Sequence, residues 1–376
     1  MNIGFDAKRI THNGTGLGNY SRFIVRILSE QFTDNQYHLY SPSEGKAYLR
    51  SRVDKLPNIV FHYPSSLFYR LFGSMWRSGG LLSNLQRDEI QLFHGLSNEI
   101  PYGLHKKKIP SVVTIHDLIF MRFPQFYKPI DREIYKKKFK HACQESDRVI
   151  AISEATKCDL INFFGIDEHK ISVVYQGCDP IFMQTVTEKE KQEIKNKYHL
   201  PDRYILNIGT IEYRKNLLRI VKAMTAIQDQ DIRLVAVGRE TPYVKEIETY
   251  IQEHGLQHRI QLLHNVAWKD LAAIYQSASI FVYPSLFEGF GIPILEAIHS
   301  NVPVIAATGS CLEEAGGPAS AYVNPNNTEM LASTIDTILS SPETASRMIK
   351  ESKAYIARFS DQQIAQDLMN VYKQVL

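Results

Sequence analysis

Residues 284–299, PSLFEGFGIPILEAIH, decide the fold class because they join a strand to a helix through a glycine loop. The preceding run, Ala278–Tyr283, is apolar and typical of a strand. The loop contains Gly289 and Gly291, and we expect a helix to begin at Pro293, where the missing N–H costs no hydrogen bond. Such a unit points backbone N–H groups and the positive end of a helix dipole at one place, which suits phosphate.

Two carboxylates bracket this loop, Glu288 and Glu296, with seven residues between them. A carboxylate is a poor neighbour for phosphate, but it accepts hydrogen bonds well from a sugar diol. The loop is therefore predicted to bind a molecule that carries both phosphate and sugar hydroxyls, such as a nucleotide sugar.

Short apolar runs alternate with helical patterns along the whole chain. Runs of this length, rich in Val and Ile and without clean alternation, are typical of parallel strands buried on both faces. The runs are Ile3–Phe5, Tyr37–Tyr40, Ile59–His62, Leu92–His94, Val112–Ile115, Val149–Ile152, Ile171–Val174, Tyr204–Ile208, Ile232–Val237, Ile260–Leu263, Ile280–Tyr283 and Val302–Ala306. The alternation predicts an α/β protein with two Rossmann-like, doubly wound parallel sheets.

At 376 residues the chain is too long for one ordinary core, so two domains are expected. The strand series breaks near residues 176–180. We therefore predict a first domain over residues 1–178, a linker over residues 179–200 and a second domain over residues 201–360. Two such domains would face each other across a cleft at the carboxyl ends of their strands, and residues 361–376 read as a final helix.

Composition narrows the classes of function and location. No apolar run is long enough to span a bilayer, the N-terminus does not resemble a signal peptide, and the four cysteines form no C-x-x-C pair. These features predict a cytoplasmic protein with free thiols. Residues 1–178 hold 24 Lys+Arg against 17 Asp+Glu, so the first half is basic although the whole chain is only +3. No nucleic-acid-binding pattern accompanies this charge, which favours an anionic acceptor or the inner face of an anionic membrane instead.

Residues 66–82, SLFYRLFGSMWRSGGLL, have the composition of an interfacial amphipathic helix. Apolar side chains from Leu67 to Trp76 would lie near one helical face, with Arg70 and Arg77 beside them. Core packing explains the pattern equally well. Peripheral membrane contact through this segment and through Lys106–Lys108 is therefore an expectation, although basic runs are usually solvated faces.

A second candidate site follows a strand at residues 207–216, NIGTIEYRKN. The strand ends at Gly209, and Arg214 and Lys215 are expected to open the next helix. Two cations at a helix N-terminus are unfavourable unless an anion lies between them, and a diphosphate would supply it. The alternative is a solvated helix start.

Two further candidates lie in the first half. Residues 13–20, NGTGLGNY, form a glycine loop before a helix expected over Tyr20–Leu28, but Asn19 breaks the dinucleotide fingerprint. The loop could approach a phosphate or sugar closely, or it could be a plain tight turn. His116 and Asp117 end a strand, where the histidine could bond a sugar hydroxyl with Asp117 or the backbone fixing its ring. The alternative is that His116 is a structural histidine, and the same alternative applies to His94, which also ends a strand.

These four sites, in this order, resemble the retaining GT-B glycosyltransferases of group 1 (family 4), over nearly the whole chain. The resemblance is most specific in the E-x7-E from Glu288 to Glu296. It implies a second domain that holds the sugar nucleotide, a first domain that holds the acceptor, and a final helix, residues 361–376, that returns to the first domain. It also implies that no metal or other cofactor is needed. The chain departs at Thr210, where many members have Arg.

The resemblance assigns roles to individual residues. His116, Glu288, Arg214 and Lys215 would be catalytic. The donor would contact Gly16, Gly18, Gly209, Thr210, Arg214, Lys215, Gly238, Val266, Glu288, Gly289, Phe290, Gly291, Ile292 and Glu296.

The expected reaction moves a hexose-type sugar from a nucleotide diphosphate sugar to a glycan or lipid-linked glycan, as in polysaccharide or lipopolysaccharide assembly. The alternatives are a GT-B nucleotide-sugar epimerase and a non-catalytic carbohydrate-binding subunit. A nicotinamide-dependent oxidoreductase is disfavoured because the dinucleotide fingerprint is broken.

Overall fold

The computed structural model describes all 376 residues. The chain forms two compact units, Met1–Gly177 with Phe359–Leu376, and Cys178–Arg358. Each unit is built on one parallel sheet with helices around it. Residues 179–200, which the sequence suggested as a linker, lie in the second unit.

The first unit has a seven-stranded parallel sheet in the order β3-β2-β1-β4-β5-β6-β7. Its strands are β1 Asn2–Asp6, β2 Gln36–Tyr40, β3 Ile59–His62, β4 Leu92–Gly95, β5 Ser111–Ile115, β6 Arg148–Ala151 and β7 Ile171–Val173. Its helices before residue 178 are α1 Lys8–His12, α2 Gly16–Gln31, α3 Ala47–Arg50, α4 Leu67–Leu71, α5 Gly73–Met75, α6 Leu82–Arg87, α7 Ile119–Arg122, α8 Pro129–Glu145 and α9 Glu154–Phe164. The π-helix Trp76–Gly80 and the 3-10 turns His105–Lys107, Pro124–Phe126 and Glu168–Lys170 complete it.

The second unit has a six-stranded parallel sheet in the order β10-β9-β8-β11-β12-β13. Its strands are β8 Tyr204–Ile208, β9 Arg233–Val237, β10 Ile260–Leu263, β11 Ile280–Tyr283, β12 Val304–Ala307 and β13 Ala321–Val323. Its helices are α10 Glu188–Tyr198, α11 Leu217–Ala223, α12 Val244–Glu253, α13 Leu271–Gln276, α14 Ile292–His299, α15 Leu312–Gly316, α16 Thr328–Leu339 and α17 Pro342–Ile356. Its 3-10 turns are Pro180–Met183, Tyr213–Lys215 and Trp268–Asp270, and the 3-10 turn Ala357–Phe359 contains the boundary with the first unit.

The last helix, α18 Asp361–Lys373, packs in the first unit against α2. Ser360 caps it by accepting a hydrogen bond from the Gln363 N–H. Tyr372 is fully buried, and its hydroxyl lies 2.7 Å from His94 Nδ1 on β4. His94 Nε2 lies 2.8 Å from the Thr114 hydroxyl, so both ring nitrogens of His94 serve the core of the unit.

The sheets confirm the predicted fold class, and all twelve apolar runs are strands. The sequence reading missed β13, a three-residue edge strand. It is shorter than the runs that periodicity can detect, and it follows the turn at Gly316 and Gly317.

The single amphipathic helix expected over residues 66–82 is wrong. The segment is divided into α4, α5, the π-helix and the start of α6. Trp76 is buried, and Arg77 pairs with the buried carboxylate of Asp6 rather than standing beside an exposed apolar face. No helix in the structure combines the length and apolarity needed to cross a bilayer.

Candidate functional site

The site in the second unit lies where the direction of strand order changes. β8 and β11 are neighbours, and the strand order runs from β8 to β9 in one direction and from β11 to β12 in the other. Open α/β sheets bind ligands at the carboxyl ends of the strands at such a point. The loop after β8 carries Gly209, and the loop after β11 begins at Pro284. The two strongest sequence candidates therefore converge at one sheet edge.

The glycine loop after β11 has the predicted strand–loop–helix form. α14 begins at Ile292, one residue before the expected start, and Pro293 lies in its first turn. Gly291 adopts a φ of 128°, which strongly favours glycine, and an added Cβ would lie 3.0 Å from Leu312. The Cys311 thiol donates to the Glu288 carbonyl oxygen at 3.0 Å. Packing thus fixes the conformation of this loop.

Glu288, Arg214 and Lys215 form one buried ionic cluster. Lys215 Nζ lies 2.6 Å from Glu288 Oε1, and Arg214 Nη1 lies 3.0 Å from Glu288 Oε2. Arg214 also donates to the Phe287 carbonyl oxygen at 2.6 Å and to Glu212 at 2.7 Å. The sequence brought these three residues to one site, but it did not indicate their direct pairing.

The two cations lie in the 3-10 turn Tyr213–Lys215, and α11 begins only at Leu217. The expectation that they open a helix is therefore wrong, because they lie in the 3-10 turn that precedes α11. Asn216 ends the turn with a φ of 58°, and its side chain donates to the carbonyl oxygens of Pro284 and Pro325. These bonds fasten the cationic turn to the loop after β11 and to the segment after β13.

Glu288 is held as an anion. Burial alone would raise the pKa of its carboxyl, but the charges of Lys215 and Arg214 outweigh this and lower the pKa to about 2. The same pairing raises the pKa of Lys215 although burial opposes it. At neutral pH the cluster therefore carries two cations and one anion.

Glu296 has a different environment. It lies on α14 and accepts a hydrogen bond from the Tyr275 hydroxyl at 2.8 Å. Burial raises the pKa of its carboxyl to about 7, against the lowering effect of the Tyr275 bond, and Asp179 raises it further. The pKa of Glu296 is thus raised, whereas that of Glu288 is lowered.

The loops after β8 and β9 meet at Gly209 and Gly238, and the backbone is close-packed at Gly238. A Cβ on Gly238 would lie 1.8 Å from the Gly209 carbonyl oxygen, and one on Gly209 would lie 3.6 Å from the Lys215 side chain. His264 contacts the Gly238 carbonyl oxygen at 2.8 Å, two residues before the half-buried Val266. Gly238 is thus explained by packing, while Gly209 borders the cationic cluster.

In the first unit, His116 is buried and its ring is fixed by the backbone. Its Nε2 lies 2.8 Å from the Leu96 carbonyl oxygen, and burial lowers the pKa of the imidazole to about 4. The Asp117 carboxylate accepts from the Ile119 N–H at 3.1 Å. Besides the Leu96 carbonyl oxygen, Gln176 Nε2 lies 3.5 Å from Nδ1 of the His116 ring.

The glycine loop of the first unit begins its helix earlier than expected. α2 starts at Gly16, not at Tyr20, so Gly16 and Gly18 both lie in its first turn. A Cβ on Gly18 would lie 1.8 Å from the Asn13 carbonyl oxygen, which the tight turn explains, whereas one on Gly16 would have no neighbour within 4 Å. Packing therefore requires glycine at position 18 but not at position 16.

Two tyrosines of the site were missed by the sequence analysis. Tyr283 accepts from Lys215 Nζ at 2.6 Å and donates to Glu288 Oε1 at 3.2 Å, and Tyr275 binds Glu296. Tyr283 is the last residue of β11, a position that could have marked it. Tyr275 lies within α13 and carries no signal in the sequence.

Comparisons with known proteins agree with this architecture. The family described as "Glycosyl transferases group 1" matches residues 188–355, and the one described as "Glycosyltransferase Family 4" matches residues 16–182. The chain is 26% identical to the O-antigen chain mannosyltransferase B of Escherichia coli, over 99% of this chain and 100% of that protein.

Solved structures share the fold over the full chain. A glycosyltransferase from Rickettsia africae has a TM-score of 0.78 at 19% identity, covering 100% of this chain and 98% of that one. The Anabaena protein HepE, solved in complex with UDP and glucose, has a TM-score of 0.76 at 18% identity, with 100% of both chains covered.

Proposed function

The chain belongs to the group 1 (family 4) glycosyltransferases of the GT-B fold, and we propose that it moves a hexose from a nucleotide diphosphate sugar to a glycan or lipid-linked glycan. The observation that carries this proposal is the buried Glu288–Arg214–Lys215 cluster at the strand-order change of the second sheet. The relatives of this chain include an O-antigen chain mannosyltransferase, which supports an acceptor in polysaccharide or lipopolysaccharide assembly.

The donor diphosphate is proposed to take over the two cations. Arg214 can bind two oxygens with its planar fork, and Lys215 adds a compact charge. Both are already positioned by contacts outside the ion pair, namely the Phe287 carbonyl oxygen and the Tyr283 hydroxyl. When the diphosphate binds them, Glu288 is released to accept from hydroxyls of the transferred sugar.

Glu296 is proposed to accept hydrogen bonds from the ribose hydroxyls of the donor. Its partner Tyr275 also lies 3.4 Å from the Pro293 carbonyl oxygen, so the tyrosine hydroxyl is anchored beside the first turn of α14. Gly289, Phe290, Gly291 and Ile292 would supply backbone contacts to the donor. Thr210, Gly238 and Val266 would line its nucleoside end.

The reaction is proposed to proceed with retention of anomeric configuration and without a metal ion. The bond between the anomeric carbon and the diphosphate oxygen breaks, and the acceptor hydroxyl oxygen bonds to that carbon. The acceptor proton passes to the departing phosphate, so no protein base is needed. Arg214 and Lys215 stabilise the charge that develops on the leaving group. The roles of His116, Gly16 and Gly18 remain predictions from the family.

Peripheral contact with an anionic membrane is proposed as the means of reaching a lipid-linked acceptor. Five apolar side chains between Leu67 and Met75, in α4, in α5 and at the residue that joins them, are between 49% and 73% exposed, although the segment does not form one long helix; they are Leu67, Phe68, Leu71, Phe72 and Met75. Lys106–Lys108 are also exposed. Together these residues offer apolar and basic groups at the surface of the basic first unit.

A donor panel tests the proposed activity. UDP-, GDP-, ADP- and dTDP-linked hexoses are incubated with the protein, with and without a lipid-linked oligosaccharide, and the released nucleoside diphosphate is measured. A transferase consumes one donor class and depends on the acceptor. Acceptor-independent conversion of the nucleotide sugar would indicate an epimerase, and binding without turnover of any donor would indicate a non-catalytic subunit. EDTA in a parallel series tests metal independence.

A further inference from the structure

Two histidines meet at the edge of the sheet of the first unit, whereas the Glu288–Arg214–Lys215 cluster belongs to the second unit. The pairing of β2 with β3 sets His38 opposite Val60 and Tyr40 opposite His62. His38 and His62 therefore lie diagonally on the same face of neighbouring strands. Asp88, the residue that follows α6, lies beside this pair.

The contacts within this group are close. His38 Nδ1 lies 2.9 Å from His62 Nε2, with the rings stacked at 5.0 Å between centroids. His62 Nδ1 lies 3.2 Å from Asp88 Oδ2, and the Tyr40 hydroxyl donates to the same oxygen at 2.9 Å. Ligand atoms from all three side chains, His38, His62 and Asp88, fall within 4.8 Å of one another.

Imidazole nitrogens bind metal ions in their unprotonated form, and this group brings two of them together beside a carboxylate.

We propose that His38 Nδ1 and His62 Nε2 bind one divalent late transition-metal ion, with Asp88 as the residue that orients His62. Two nitrogens 2.9 Å apart, each about 2.0–2.1 Å from an ion, subtend roughly 90° and occupy adjacent coordination positions. Water would fill the remaining positions. Imidazole ligands favour Zn²⁺, Ni²⁺ or Cu²⁺, whereas Mg²⁺ and Ca²⁺ require oxygen.

The surroundings of His62 match those of metal-binding histidines. Such rings usually donate their other N–H to a carboxylate, and Asp88 stands in that position beside His62 Nδ1. Tyr40 in turn fixes the carboxylate and stacks on the His62 ring with 4.6 Å between centroids. Because the two ligands come from β2 and β3, a bound ion would cross-link the edge strand β3 to the sheet.

Calorimetric titration of the untagged, chelator-stripped protein with Zn²⁺, and separately with Ni²⁺, tests the site. We expect one equivalent to bind and the thermal unfolding midpoint to rise with metal concentration. His38→Gln and His62→Gln should each weaken binding at least tenfold, and Asp88→Asn about 10–100-fold. His258→Gln, at an exposed histidine of the second unit, should leave it unchanged.

The proposal is overturned if the wild type takes up no stoichiometric ion. It is equally overturned if the His38→Gln/His62→Gln protein binds as tightly as His258→Gln. Circular dichroism checks that each variant folds, and His38→Gln alone carries the test should the loss of the stacked His62 ring unfold the edge. Sugar nucleotides are absent throughout, so the outcome is independent of the proposed transferase activity.

Discussion

Lys215 illustrates how much of the proposed chemistry depends on one side chain. It contacts Glu288, the Tyr283 hydroxyl and, at 5.0 Å from its centroid, the Tyr283 ring. We expect Lys215→Ala to lower transfer about 10²–10³-fold, because a preorganised charge that stabilises the leaving group is lost. Initial rates at saturating donor measure this effect.

Lys245→Ala is the matched control, since Lys245 is an exposed lysine of the same unit. Thermal unfolding of both variants separates lost chemistry from lost folding. A folded Lys215→Ala protein with wild-type turnover would refute the assignment of the cationic cluster to the donor diphosphate.

Glu296 predicts a pH dependence of stability. Its folded pKa of about 7 exceeds the ordinary value of 4.5, so between these values the native state binds more protons than the unfolded chain. This carboxyl therefore lowers the free energy of unfolding as pH rises from about 4.5 to 7, by on the order of 3 kcal/mol. Glu296→Gln should remove that part of the decline.

Urea unfolding at pH 5 and pH 8 measures the difference, with the exposed Glu253→Gln as control. If the wild type and Glu296→Gln lose stability equally between the two pH values, the carboxyl titrates normally and its burial has no such effect.

At the start of α2, the roles of Gly16 and Gly18 can be distinguished by experiment. Gly16→Ala should fold as well as the wild type, because no atom would crowd the new Cβ and alanine favours the helix. Gly18→Ala should lower the thermal midpoint clearly, because its Cβ would collide with the Asn13 carbonyl oxygen. If a ligand approaches Gly16, the Gly16→Ala protein loses transfer while remaining folded. Full turnover of that protein would exclude Gly16 from the donor site.

Exposed apolar residues in α4 and just after it allow the proposed membrane contact to be tested. Phe68 and Phe72 lie 5.0 Å apart, between ring centroids, and both are about half exposed. Phe68→Ser/Phe72→Ser should reduce sedimentation with vesicles of anionic phospholipid severalfold and leave the unfolding midpoint nearly unchanged. Ser substitution at the exposed Tyr48 is the control. Equal vesicle binding by both proteins would contradict the proposed membrane contact.

At the scale of the whole molecule, the sequence was sufficient for the two parallel sheets because twelve of the thirteen strands coincide with short runs rich in apolar residues. It also located Glu288, Arg214 and Lys215, since glycines and Pro293 mark where strands give way to loops. It failed where tertiary contacts decide the outcome. Packing between segments distant in sequence decides three features that the sequence did not show. These are the pairing of Glu288 with both cations, the tyrosine contacts to Glu288 and Glu296, and the division of residues 66–82.

The attachment of α18 predicts a large effect of one distant residue on the first unit. Tyr372→Ala should destabilise the protein by about 3–5 kcal/mol, because a fully buried ring is removed and His94 loses a hydrogen-bond partner. Tyr48→Ala, at an exposed tyrosine of the same unit, should change it little. Denaturant unfolding followed by tryptophan fluorescence at Trp76, with Trp268 replaced by Phe, reports on the first unit. Equal midpoints for the two variants would show that α18 does not support this core.

The position of α18 also affects how the protein folds during its synthesis. Residues 1–177 leave the ribosome before α18, the helix that packs on α2 and whose Tyr372 contacts His94. The first unit therefore keeps an apolar surface exposed until the whole second unit has been synthesised. Nascent chains stalled before residue 361 should be chaperone clients, and the two halves should not be separable into independently expressed pieces at residue 177.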